Sequence, residues 1–125
     1  MEYALLIYAD ESELAVVTPE EVEKHADAFA VFVREAMDRG VLRSGSPLQP
    51  TSVATTVQVR DGKVLTTDGP FLETKEALGG FFILDCADLD EAIAFAAKIP
   101  AAHGGSIEIR PVFKQMQEAM AKRTG

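Results

Sequence analysis

The chain has 125 residues, 47% of them apolar and 26% charged, a mixture that suits one globular domain with one core rather than a disordered chain. Twenty acidic against twelve basic side chains give a net charge of −8, which repels nucleic-acid phosphates and anionic lipid heads, and no basic run offsets it. Its one cysteine, Cys86, admits no internal disulfide and fits a reducing compartment.

The first predicted element is "EYALLIYA", residues 2–9. Both alternating sets are apolar, Tyr3, Leu5 and Ile7 on one side and Ala4, Leu6 and Tyr8 on the other, so the spacing predicts a strand buried on both faces. This start lacks the basic opening and the length of a signal peptide, and no apolar run approaches the ~18 residues of a membrane span. A cytoplasmic protein is the expectation.

Next comes a helix from Thr18 to Gly40. Thr18 as cap, Pro19 in the first turn and Glu21 three residues on satisfy the free N–H groups that open a helix. Val22, Ala26, Phe29, Val33, Ala36 and Met37 recur at steps of three and four and predict the buried stripe. Gly40 supplies a left-handed stop. "VLRSGSPL" reads as a short strand and Gln49 to Ser52 as a loop. "ATTVQVRDGKVLTT" reads as a hairpin turned at Asp61-Gly62.

"TTDGPFLETKEALGGFF", residues 66–82, breaks the regular pattern. Asp68-Gly69-Pro70 forms a turn, Phe71 adds a large ring, and Glu73, Thr74, Lys75 and Glu76 crowd it with polar groups. A purely structural account has Asp68 bonding its own turn and Phe71 plugging the core. The functional account makes the turn the rim of a pocket, with Asp68 as acid or base, Phe71 as its wall and Thr74 among its ligand contacts. Thereafter "GGFFILDC" is a second strand apolar on both faces. "DLDEAIAFAAKIP" is a helix capped by Asp88, with Leu89, Ala92, Ile93, Ala96 and Ile99 as stripe and Pro100 as stop. "SIEIRP" is the last strand, and "VFKQMQEAMAKR" a short terminal helix through Phe113, Met116 and Met120.

Two helices interleaved with strands in this order predict an α+β domain: a split β-α-β antiparallel sheet with both helices on one face. Such helices leave the second face bare, and at ~25 cal/mol per Å² its apolar side chains would forgo several kcal/mol. A second copy packed sheet to sheet is the expected cover. In the last strand Ile107 and Ile109 alternate with Glu108 and Arg110, so the charges point into that dimer interior. There they either pair with each other or line a ligand-filled cavity in which Arg110 holds an anionic group.

His25 shares a helix face with Val22 and Phe29; it reads either as a core-edge residue or as a general base near neutral pH. Two histidines and one cysteine have no ligand spacing, so no metal and no cofactor is expected. Cys86 reads as a small packed residue.

Taken together, "TDGPFLETKEALGGFFIL", "DEAIAFAAKIP" and "IEIRPV" resemble the DGPF branch of the YCII-related family, over nearly the whole chain, residues 1–125 as one domain. The resemblance implies a ferredoxin-like fold that dimerises as an α+β barrel, with a small cleft near the DGPF loop. It implies a cofactor-independent small-molecule enzyme or a ligand-binding protein. The alternative it implies is a regulatory module associated with an extracytoplasmic-function sigma factor. Family relatives carry a histidine on the first helix paired with an aspartate near that helix's end. Here Phe29 stands at the histidine's position, His25 lies one turn earlier, and Asp38 occupies the aspartate's place.

Overall fold

The computed structural model describes residues 1–13 and 18–125. In chain order it contains β1 (Glu2–Asp10), α1 (Pro19–Asp38), β2 (Leu42–Pro47), β3 (Thr55–Arg60), β4 (Lys63–Asp68), β5 (Glu76–Asp85), α2 (Leu89–Ala96), β6 (Ser106–Pro111) and α3 (Lys114–Thr124), with single 3-10 turns at Glu11–Glu13, Thr51–Val53 and Pro100–His103.

The local chemistry explains the boundaries. The Thr18 hydroxyl accepts from the Glu21 N–H at 3.2 Å and opens α1. At its end Gly40 sits at φ +71°, the Gly40 N–H donates to Met37 O at 2.9 Å and the Val41 N–H to Ala36 O at 3.0 Å, the paired bonds of a glycine-terminated helix. Asp88 caps α2 by accepting from the Glu91 N–H at 2.9 Å, while the Glu91 carboxylate accepts from the Ala87 N–H at 3.0 Å. The Asp61-Gly62 turn has φ +51° and +75°, the mirror-image geometry that matches strand twist, and it joins Arg60 to Lys63 in register.

Four strands form one sheet in the order β2-β5-β1-β6, every neighbouring pair antiparallel. β1 and β2 flank β5, and β5 and β6 flank β1, so each of α1 and α2 crosses over a strand inserted between its own two. This is a mixed α+β architecture consistent with the ferredoxin-like arrangement. β3 and β4 pair only with each other, as a separate two-stranded ribbon.

The core lies between one sheet face and the helices. Tyr3, Leu5 and Ile7 of β1, Leu84 of β5, Phe32 and Ala36 of α1, and Ala92, Phe95 and Ala96 of α2 are buried, joined by Val41, Cys86 and Ile99. Phe32 packs on Phe82 with ring centroids 4.8 Å apart and meets Phe95 edge-on at 6.4 Å.

Both helices turn inward part of the stripe their sequence periodicity predicts, Phe29, Val33 and Ala36 on α1 and Ala92 and Ala96 on α2, but its edges differ. On α1 the buried ridge is Phe29, Phe32, Val33 and Ala36; Val22 and Met37 are exposed. Val22 lies in the first turns of the helix, which run past the sheet and are exposed throughout from Pro19 to Ala28. Met37 follows Ala36 by about 100° of rotation and so points away. On α2, Phe95 replaces Leu89 and Ile93, which stay about half exposed. Both helices carry more apolar residues than one contact ridge can bury. The period therefore finds the middle of the inward side without fixing its edges.

Candidate functional site

Strand alternation sends every second residue to the face opposite the helices. The register places three rows across that face: Ser46, Phe81, Leu6 and Glu108; Ser44, Ile83, Ala4 and Arg110; and Leu78, Tyr8 and Ser106. The middle is apolar and aromatic, from the two central strands; the rims are polar, serines on β2 and an ion pair's worth of charge on β6. Ala4, Leu6, Tyr8, Phe81 and Ile83 are half-buried, and Glu108 and Arg110 are exposed. Within the single chain the two charges are therefore at the surface, not in an interior.

Among the described residues Glu108 has one neighbour for its charge: the Tyr8 hydroxyl donates to its Oε1 at 3.5 Å, a long contact. Arg110 has none among them. The ion pairs among the described residues join Met1 to Asp85, Arg43 to Asp85, Lys98 to Glu35 and Lys114 to Glu118.

The DGPF turn lies elsewhere. Asp68 ends β4 opposite Thr55, and it is exposed. Gly69 takes φ +101°, its N–H donates to Ala54 O at 2.8 Å and its carbonyl accepts from the Thr56 hydroxyl at 2.8 Å. The turn is thus fastened to β3 by its own backbone. Phe71 is 70% exposed and does not plug the core. The Thr74 hydroxyl donates to the Glu76 carbonyl, where the chain enters β5. The sequence window that looked least structural therefore supplies strand as well as turn, since β5 starts at Glu76.

Beside that point is an open depression of about 470 Å³ lined by Asp10, Thr74, Lys75, Glu76 and Gly104. Thr74 lines it together with Lys75 and Glu76 of the same polar run, while Asp68 and Phe71 do not. Asp10 accepts from the Ser12 hydroxyl at 2.6 Å and its backbone N–H at 2.9 Å, bonds that hold the Asp10 carboxyl below its usual range. Next to it the Glu11 carboxylate grips Thr51 twice, at 2.9 Å to the N–H and 2.5 Å to the hydroxyl. Nothing in the local sequence announces that clamp across forty residues of chain.

His25 is exposed on the overhanging start of α1. Because α1 packs on the helix side of the sheet while Glu108 and Arg110 lie on the other, the sheet separates His25 from both within one chain. Asp38 lines a second open depression, of about 500 Å³, on the outer surface of α1 with Val31, Arg34, Glu35 and Arg39. The sequence candidates thus fall into three places: Glu108 and Arg110 on the open sheet face, Asp68, Phe71 and Thr74 along the turn, and His25 on the far side.

Two further groups have shifted acidity. The terminal ammonium of Met1, 3.0 Å from Asp85, and then the Arg43 guanidinium at 3.1 Å hold the Asp85 carboxyl below its usual range. Burial first, and the nearby Glu91 carboxylate second, push the Cys86 thiol up, so it is a packed and unreactive group. No described helix is long and apolar enough to cross a membrane.

Fold and surface together define an α+β protein whose antiparallel sheet is clothed by helices on one side and presents an apolar floor with a charged rim on the other. The chain belongs to the YCII-related family, whose domain matches residues 1–116. It is similar to an uncharacterized protein of Rhizobium meliloti (strain 1021), 40% identical over 114 residues that span 90% of this chain and 92% of that one.

Proposed function

We propose that this protein belongs to the DGPF branch of its family and binds a small organic molecule in a chamber closed when two copies pack sheet to sheet. One observation carries the reading: the aromatic and aliphatic floor of Ala4, Leu6, Tyr8, Phe81 and Ile83 lies on the face opposite the core that α1 and α2 cover, and it is edged by Arg110, which has no ion pair or hydrogen bond among the described residues. Closing a second sheet over this floor removes apolar surface from water and draws Glu108 and Arg110 out of bulk solvent, where an anionic ligand group satisfies Arg110. Chemistry without a cofactor in such a chamber is proton transfer and electrostatic positioning. Asp68 is the acid–base group of this reading, Phe71 and Thr74 lie along the same turn, and His25 lies outside the chamber.

Sedimentation velocity at micromolar concentration tests the proposal. The wild type should run as a dimer and Leu6→Glu as a folded monomer by circular dichroism. A monomeric wild type refutes it. A second reading, a regulatory module for a sigma factor, is favoured by one feature: Met116 and Met120 of α3, with Phe113 just before its first turn, form an exposed apolar stripe. In that case Met116→Glu with Met120→Glu abolishes capture of the sigma factor while Leu6→Glu leaves it intact.

A further inference from the structure

The open face also specifies what kind of molecule it would take, an inference that rests on the chamber reading above. In the row Ser44, Ile83, Ala4 and Arg110, the second central strand contributes only a methyl group. Neighbouring strands lie ~4.8 Å apart, so Arg110 and Ile83 are ~10 Å apart across a hollow floored by Ala4. Leu6 and Phe81, in the adjoining row, form its apolar side. A flat ring fits a shallow hollow of this kind better than a branched chain does, because it meets both the floor and the Phe81 ring over its whole face.

The charges fix the substituents. Arg110 is a planar fork of donors with no hydrogen bond or ion pair to any described residue, and its natural complement is a carboxylate held by two parallel bonds. Glu108 stands two residues away on the same face, ~7 Å along the strand. Its carboxylate repels a second anion, yet it is an acceptor whose sole described partner is the long bond from the Tyr8 hydroxyl. A ligand with two carboxylates is therefore disfavoured. One with a carboxylate at one end and a hydroxyl donor at the other is matched at both.

We infer that the open sheet face is a binding site for a hydroxylated aromatic monocarboxylate, its carboxylate on Arg110, its ring over Ala4 against Leu6 and Phe81, and its hydroxyl donating to Glu108. Isothermal titration of the full chain with 4-hydroxybenzoate tests this, with sedimentation velocity run on the same samples. The wild type should bind 4-hydroxybenzoate, and 4-hydroxybenzamide, which lacks the charge, should bind at least about tenfold more weakly. Arg110→Gln should lose about as much, and Arg110→Lys should lose less, since it keeps the charge without the fork. Benzoate should bind more weakly than 4-hydroxybenzoate to the wild type, and the two should bind equally to Glu108→Ala, which has no side-chain acceptor. A dimeric wild type that ignores 4-hydroxybenzoate, or binds the amide as tightly, overturns the ligand assignment and leaves the chamber standing. A monomeric wild type overturns the chamber, and the ligand assignment with it.

Discussion

Replacing Phe32 by alanine puts the observed packing of α1 to a direct test, because the same helix offers an internal control in Val22. The Phe32 side chain is 1% exposed and touches two other rings, Phe82 at 4.8 Å and Phe95 at 6.4 Å between centroids. Truncating a buried phenylalanine costs about 3–5 kcal/mol through lost transfer energy and the cavity left behind. Loss of two aromatic pairs, each worth about 0.5–1.5 kcal/mol beyond burial, sets the expectation at the upper end, about 4–5 kcal/mol. Val22 is 52% exposed, and alanine is the better helix former, so Val22→Ala should change stability by less than about 0.5 kcal/mol. Urea unfolding followed by far-ultraviolet circular dichroism, at one fixed protein concentration, measures both. With an m-value of about 2 kcal/mol per M, the Phe32→Ala midpoint should fall by about 2 M and the Val22→Ala midpoint should hardly move. Should Val22→Ala lose as much as Phe32→Ala, α1 would be seated on the stripe its periodicity suggests, and the described core would be refuted.

Gly69→Ala should destabilise by about 1–2 kcal/mol in the same assay, since φ is +101° and an added Cβ meets nothing within 4 Å; the cost is backbone strain and not collision. An unchanged midpoint would show that the DGPF turn relaxes freely. Asp85 titrates below its ordinary value in the folded protein, so the unfolded chain takes up the proton first as pH falls. Its stabilisation is complete above the ordinary carboxylate range and disappears as pH drops through the lowered folded value. Urea midpoints between about pH 6 and pH 2 should therefore fall less steeply in Asp85→Asn than in the wild type; parallel curves would discount the pairing with Met1 and Arg43. Cys86 should resist a thiol reagent in the native protein and react at once in urea, and prompt native reaction would contradict its burial.

The elements were legible because each is written locally. Thr18 and Asp88 do cap their helices, Gly40 does end one, and Asp61-Gly62 does turn the hairpin. These signals need only a few neighbouring residues; the spatial order β2-β5-β1-β6 is set instead by pairings between distant parts of the chain. Phe29, Val33, Ala36, Ala92 and Ala96 were legible as inward, but the edges of each stripe are decided by tertiary shape, so Phe32 and Phe95 escaped notice while Val22, Met37, Leu89 and Ile93 were assigned to the interior. Alternation in "SIEIRP" did separate Ile107 and Ile109, packed against the core, from Glu108 and Arg110 on the other face. The turn at Asp68 was legible as a turn and not as a place: its distance from Arg110 in the fold depends on a hairpin that stands apart from the sheet. The Glu11 grip on Thr51 and the meeting of Met1, Arg43 and Asp85 have no local signature at all, because their members come from distant parts of the chain.

That hairpin has a consequence for how the molecule can be handled. β3 and β4 complete their ladder with each other, and the main sheet loses no strand if they open. Amide protons in the ribbon should consequently exchange with heavy water through local opening, well before those of β1 and β5, whose release requires the whole core to come apart. A peptide tag spliced between Asp61 and Gly62 would ride on this ribbon as on a detachable arm, reporting on its surroundings while the scaffold beneath stays intact.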